Sequence, residues 1–448
     1  MNSSVFSSRV LTYSLDSRWR ATIFLAAIAL PGILLIEQVA RIAVADHWGE
    51  STKFADVSRA AKLDPLNPEY QYRMGLFDEY DWEHMDVSEA VRHFKEATTL
   101  QPYRADYWSS LGRACFTAGD DSCADQAYEN SVRLAPATPH YQWEIANYYL
   151  LAGRQKESLS HFRRFLELGT DDPTPTFSVC LRALSDPELI WRTLLADKGD
   201  AKLKLAYVNF LNAGGHSEAA FQFWNRIVLD GSKMPFSAVQ PYLDQLIATN
   251  HVEQASKVWQ DLESLGVVER PKNSNPANGI FNGGFEQEPL NSGFDWRHRT
   301  QEYLTLDFAD KNCDGDRRCL RVDFTVPNNA DYEPVYQMAP VLPNQQYALT
   351  AYARSADISS DSGPRLRVVD PECPACVSGE SQASVGTMPW HEISVPFTSG
   401  PKTQAVRVSV WRPRSRSFPM EIQGHFWLTS VSLRAASHNQ SAREGQLQ

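Results

Sequence analysis

Basic charge is what this chain is short of. Its 43 Lys and Arg stand against 54 Asp and Glu, a formal net charge of −11, and the deficit holds on both sides of Asn278. A partner that is bound by neutralising phosphates needs a basic surplus, so nucleic acid is not expected. Catalytic signatures are absent too: there is no HExxH, no GxSxG, no P-loop and no GxGxxG opening a helix. The acidic cluster Asp78, Glu79, Asp81, Glu83, His84, Asp86 sits in a turn and reads as a solvated face. Paired carboxylates for glycoside hydrolysis cannot be singled out among the acids. No enzymatic activity is expected. There is a single CxxC, at Cys373–Cys376, without a second one or nearby histidines, which disfavours zinc.

One long apolar run is present. Residues 21–36 (ATIFLAAIALPGILLI) carry no charge and follow Arg9, Arg18 and Arg20, which orients the N-terminus inward and the body outward. A pairing of Glu37 with Arg41 would extend the span to Ala45, between Trp19 and Trp48. The resulting expectation is a cytoplasmic N-terminus over 1–20 and a single-pass signal anchor over 21–45. The alternatives are cleavage after Ala43-Val44-Ala45, and a buried soluble helix. Seven cysteines suit an exported, periplasmic body. The preferred pairing is Cys115 with Cys123, Cys313 with Cys319 and Cys373 with Cys376, leaving Cys180 over.

What fills the body is helical periodicity of 34 residues, from about Asp56 to Thr170. Pro65, Pro102 and Pro136 close successive units. One unit reads Trp108, Leu111, Gly112, Ala124, Tyr128, Pro136; the one before, three residues longer in its turn, reads Met74, Gly75, Ala90, Phe94, Ala97, Pro102. Ile145, Ala146, Tyr149 and Phe162 continue the series. The pattern resembles the tetratricopeptide repeat (TPR), a solenoid of helix pairs whose inner groove holds partners. That resemblance places repeats over 53–170 and degenerate pairs over 171–267. It also puts Glu69, Tyr72, Asp106, Ser109, Arg113, His140, Trp143 and Asn147 on the protein-binding side. Packing against neighbouring helices is the other reading of Tyr72 and Trp143.

After a linker at 268–277 the period changes from 3.6 to 2. Leu320–Phe324, Tyr347–Arg354, Leu366–Val369, His391–Phe397, Val406–Trp411 and His425–Leu433 read as strands of an antiparallel β-sandwich over 278–435, followed by a polar tail at 436–448. The phrases Asn282-Gly283-Gly284-Phe285-Glu286, Cys319–Val322, Tyr347–Arg354, Trp390–Ile393 and Phe426–Leu433 come in an order similar to the carbohydrate-binding jelly rolls appended to glycoside hydrolases. The resemblance implies a structural calcium at Glu286, although Thr429 and Ser430 stand where its second carboxylate would be. Strand alternation puts Tyr352, Arg354, Arg365, Arg367, Arg407 and Trp411 outward, as one arginine-aromatic face suited to an acidic polysaccharide, or as ordinary half-exposed strand residues. The combination points to a non-catalytic envelope scaffold in exopolysaccharide or cell-surface glycan assembly and export. The alternatives are an adaptor with a structural β-domain and a degenerate glycan-processing enzyme.

Overall fold

The computed structural model describes residues 17–195, 201–231, 234–272, 275, 277–310, 313 and 318–436. The sequence-based expectations for the first sixteen residues and for most of the 436–448 tail lie outside these. The chain divides into two compact units, Met1–Asp197 and Lys198–Gln448.

The first unit is all helix. Its elements are α1 (Arg18–Gly49), α2 (Phe54–Leu63), α3 (Pro68–Tyr80), α4 (Val87–Leu100), α5 (Ala105–Thr117), α6 (Asp121–Leu134), α7 (Pro139–Leu151), α8 (Gln155–Glu167), α9 (Thr174–Leu184) and α10 (Pro187–Ile190), which runs into a π turn at Trp191–Leu195. Short polar turns separate them, so consecutive helices fold back as TPR-like hairpins. The starts are written locally: Asn67 accepts from the Glu69 N–H with Pro68 in the first turn, Asp86 from Ser88 and Glu89, and Asp120 from Cys123. Part of the acidic turn therefore caps α4, and Asp81 pairs with His84 at 2.9 Å. In the α3–α4 and α5–α6 hairpins a glycine lets an aromatic ring lie on the facing backbone. A Cβ on Gly75 would meet the Phe94 ring at 2.7 Å, and one on Gly112 the Tyr128 ring at 2.8 Å. This is the physical content of the repeat pattern.

Among the described residues α1 is the one helix long and apolar enough to cross a membrane, and no residue of its apolar stretch is buried. Its far end is not a free stalk. Ala45 is fully buried, and Gly49 lies against the Tyr70 ring. Tyr70 donates its hydroxyl to Asp46 at 2.5 Å, and the Arg59 guanidinium sits 5.2 Å over Trp48. The end of α1 thus acts as the first helix of a hairpin with α2, ahead of the Lys53 start that the repeat pattern suggests.

The second unit begins with α11 (Ala201–Ala213), α12 (Ser217–Leu229), α13 (Phe236–Ala248) and α14 (Val252–Ser264). Two five-stranded antiparallel sheets follow. They are built from β1 (Arg297–His298), β2 (Leu304–Asp310), β3 (Cys319–Asn328), β4 (Tyr332–Pro340), β5 (Gln346–Ile358), β6 (Arg365–Val369), β7 (Ser378–Glu380), β8 (Gly386–Thr398), β9 (Ala405–Arg412) and β10 (Ile422–Ala435). The orders are β1-β4-β9-β6-β7 and β2-β3-β10-β5-β8. Their inner faces enclose a core that includes Phe285, Trp296, Val322, Leu349, Val408 and Phe426.

The last helices are part of this unit rather than tethered to it. Asp244 on α13 accepts from the Ser292 hydroxyl (2.9 Å), the Gly293 N–H (2.9 Å) and Arg297 (2.7 Å). Trp259 on α14 packs edge-on against Phe281 (5.1 Å) and Phe294 (6.0 Å). Gly293 has φ +61° and lies so close to Trp259 that any side chain there would collide with the indole. Inside the sandwich, Arg412 is buried and spends its donors on oxygens of several loops: Ser362 O (3.0 Å), Ala330 O (2.8 Å), Met420 O (2.8 Å) and Asn329 Oδ1 (3.0 Å). The three expected cysteine pairs stand at disulfide distance, with Cα–Cα separations of 5.7, 6.0 and 5.2 Å, and Cys180 is free and buried.

Candidate binding surfaces

In the first unit the leading helices α3, α5 and α7 lie side by side, and the expected groove residues meet there unequally. Tyr72 stacks on Tyr107 at 4.6 Å, and the Tyr107 hydroxyl donates to Glu69 at 2.9 Å. Asp106 is held by Arg104 in a two-pronged pair. Arg113 is the centre of the row. Its Nε and Nη2 reach the two oxygens of Glu79 at 2.5 and 3.1 Å, and its Nη1 reaches Glu144 at 3.2 Å. Burial by itself would pull the Arg113 pKa down, but the hydrogen bond and charge of Glu79 win, and it is raised. Ser109 is buried and donates to Glu144, and His140, 66% exposed, stands 3.5 Å from the same carboxylate. Trp143 packs on Phe162 and Phe165, and Asn147 donates to the Trp143 carbonyl at 2.8 Å, so these two serve the helix stack.

Glu79, Glu144, Tyr80 and Leu76 are site residues that the repeat template does not name. A cavity of about 410 Å³ opens beside them, lined by Thr52, Arg73, Leu76, Phe77, Tyr80 and Asp81. Tyr80 is 62% exposed, with Arg113 5.5 Å from its ring. The surface thus offers an apolar pocket next to a guanidinium flanked by two carboxylates. Behind it, Asp78 is buried with Oδ2 accepting no hydrogen bond, and desolvation, then Glu89 and Asp86, push its pKa up to about 6. His93, 3.7 Å away, is lowered by burial and by Arg92.

On the sandwich, the six outward residues do not share one face. Arg365 and Arg367 on β6, with Arg407 and Trp411 on β9, belong to one sheet; Tyr352 and Arg354 on β5 belong to the other. Alternation along a strand fixes inward from outward but not which sheet the strand joins. The four that remain together are tied down. The Trp411 indole N–H donates to Asp331 at 2.8 Å, and the Arg367 guanidinium lies 4.4 Å over its ring. Arg365 pairs with Glu380 at 3.1 Å, and Arg407 with Glu333 at 3.5 Å. On the opposite sheet Tyr352 is 48% exposed, while Arg354 stacks on Trp427 at 4.8 Å. Trp427, which also donates to Asp310 at 3.1 Å beside Cys313–Cys319, is the anchor of that face, and its inclusion in a plain apolar strand hid it.

The calcium expectation rests on Glu286, with Thr429 and Ser430 where a second carboxylate would stand. The Thr429 hydroxyl donates to the Arg318 carbonyl at 3.1 Å. Among the described residues no group of three or more His, Cys, Asp or Glu is placed to hold a metal.

No protein-family model matches the chain, and no curated protein matches it. Among solved structures, one of MamA is 19% identical and is covered over 96% of its length by 35% of this chain, with a TM-score of 0.26. PilF of Pseudomonas aeruginosa is 12% identical over 51% of this chain and 91% of its own, with a TM-score of 0.27. The enzymatically active domain of bacteriophage CBA120 tailspike protein 4 is 14% identical over 36% of this chain and 22% of its own, also at 0.27. Likenesses this slight say nothing of partners. The hairpin assignment rests on the packing of Gly75 and Gly112 described above.

Proposed function

We propose that the chain is a non-catalytic scaffold of the cell envelope. It would be anchored by α1 and would hold a partner protein along the row α3, α5 and α7. The observation that carries this reading is the Glu79–Arg113–Glu144 cluster beside the apolar pocket at Leu76, Phe77 and Tyr80. A large apolar side chain fills such a pocket, and a neighbouring charged group is read by the cluster. The exposed apolar helix and the three cysteine pairs at disulfide distance support an extracytoplasmic body.

The test is a photo-crosslinking residue placed at Tyr80 in cells, with Leu229, also exposed, as the control position. One adduct is expected at Tyr80, none at Leu229, and loss of the first on Arg113→Glu. Equal labelling at both positions, or an adduct indifferent to Arg113→Glu, refutes the assignment.

A second reading concerns the sandwich, as a contact to acidic polysaccharide in exopolysaccharide or surface-glycan assembly. It is favoured by Arg365, Arg367, Arg407 and Trp411 still sharing one sheet. Arg367 covers the ring on which a sugar would stack, so binding requires that guanidinium to swing away or the sugar to use the other edge. Calorimetry of the full chain in detergent against acidic and neutral glycans tests it; no heat from any acidic glycan removes it.

A further inference from the structure

Within the second unit, a cavity of about 900 Å³ runs between helices α12 and α14 and the strap Pro340–Pro343 that follows β4. A smaller one, of about 200 Å³, continues it and shares Ser256, Gln260 and Pro340. Together they form a groove along one side of α14, at the junction of helices and sandwich, where binding sites concentrate. We propose that this groove docks an extended, cationic peptide segment of a partner protein. The proposal is independent of the row in the first unit.

Three features of the lining select that chemistry. The walls are apolar, with Phe221 and Val252 on one side and Pro340, Val341, Leu342 and Pro343 on the other, and the smaller part adds Trp259 and Phe281. Leu342 is 69% exposed in the strap. Such walls take the apolar side chains of a peptide. Between the walls stand four amides, Asn225, Gln254, Gln260 and Gln404. Each carries both donors and an acceptor, which matches a peptide backbone. The Gln254 Oε1 is buried and accepts no hydrogen bond, while its amide nitrogen is spent on Glu218 at 3.3 Å. An orphaned acceptor of this kind is unfavourable, and an incoming N–H removes the cost. Charge supplies the last feature. Lys257 is tied to Asp261, which leaves the carboxylates Glu218 and Glu253 to set the sign at that end of the groove. A basic side chain is complementary to them.

The test uses the full chain in detergent and fluorescence anisotropy with synthetic decapeptides. The probe peptide alternates aliphatic residues with Ser and carries one Arg near an end. Three comparison ligands are its backbone N-methylated form, its Arg→Glu form and a neutral oligosaccharide. The probe should bind, and N-methylation and Arg→Glu should each weaken it about tenfold or more. Leu342→Ser and Gln260→Ala, at exposed positions that leave the fold intact, should weaken it as well. Binding that ignores both substitutions, or tolerates N-methylation, overturns the proposal, as does binding of the oligosaccharide alone. Removal of residues 437–448 is the control for self-occupancy. A marked gain in probe affinity on that deletion would make the chain's own tail the occupant and would also overturn it.

Discussion

Replacement of Trp259 by alanine should separate two structures that the chain joins. The indole is 5% exposed and is held by Phe281, Phe294 and the bare backbone of Gly293. A tryptophan buries about 200 Å², and at about 25 cal/mol per Å² its removal forfeits about 5 kcal/mol of transfer free energy. Partial collapse of the site brings the expected loss to about 3–5 kcal/mol. The three bonds to Asp244 would remain, so the helices should loosen rather than detach. The assay is hydrogen exchange read by mass spectrometry across a denaturant series. In the wild type, peptides from 252–264 and from the β1–β4 edge should lose protection together. In Trp259→Ala the helical peptides should open at lower denaturant than the sandwich. Two separate transitions already present in the wild type, or a shift below about 1 kcal/mol in the variant, would refute the reasoning, because the seam would then contribute little to cooperativity.

Arg412→Met should cost about 3–5 kcal/mol of sandwich stability, since it strips partners from the carbonyls of Ala330, Ser362 and Met420 inside the protein; thermal unfolding of the purified variant checks this. Asp295 is buried, and desolvation pushes its pKa from 3.8 up to about 6, against the bonds from the Leu290 and Trp296 N–H groups. The folded carboxyl therefore keeps its proton where the unfolded chain has lost it. Its stabilising contribution is complete below about pH 4 and falls away as pH rises through about 6, by roughly 3 kcal/mol. Asp295→Asn should flatten that part of the stability-against-pH curve, and an unchanged slope would contradict the assignment. Non-reducing alkylation should label one cysteine, and that one only after unfolding, because burial pushes the Cys180 thiol up to about 12; two or more labelled thiols in denatured, unreduced protein would break the pairing.

The hairpins were legible because their contact rule is local and repeated. Gly75 and Gly112 recur at matching places, each with an aromatic residue at the facing helix, and prolines mark the exits. Helices α11 to α14 followed from apolar period and from turns at Gly214-Gly215 and Asn250. The sandwich strands were readable by alternation, yet their partners were not. Nothing in the order of β5, β6 and β9 says that β5 joins one sheet while the other two join the second, and the supposed common face divided for that reason. Arg113 was found by template, but Glu79 and Glu144 come from other helices and only packing brings them to it. The seam was equally hidden. Asp244 and Trp259 look like an ordinary surface acid and an ordinary core aromatic until the loop at Ser292–Arg297 folds against them.

Consider finally the unbroken passage of α1 into the first hairpin. A linker would let the body swivel about its point of attachment, but a helix that ends as a packed member of the fold has no joint. Any tilt or rotation imposed on the apolar stretch is delivered to Tyr70 and Trp48 as torque, and through them to the helices behind. Cutting after Ala45 would sever a helix within its packed segment and leave Asp46 as a new terminus at the Tyr70 hydroxyl. In the anchored arrangement proposed above, the apolar stretch would act as a lever, and a few inserted residues near Gly49 would change which way the row of α3, α5 and α7 is aimed without altering the row itself.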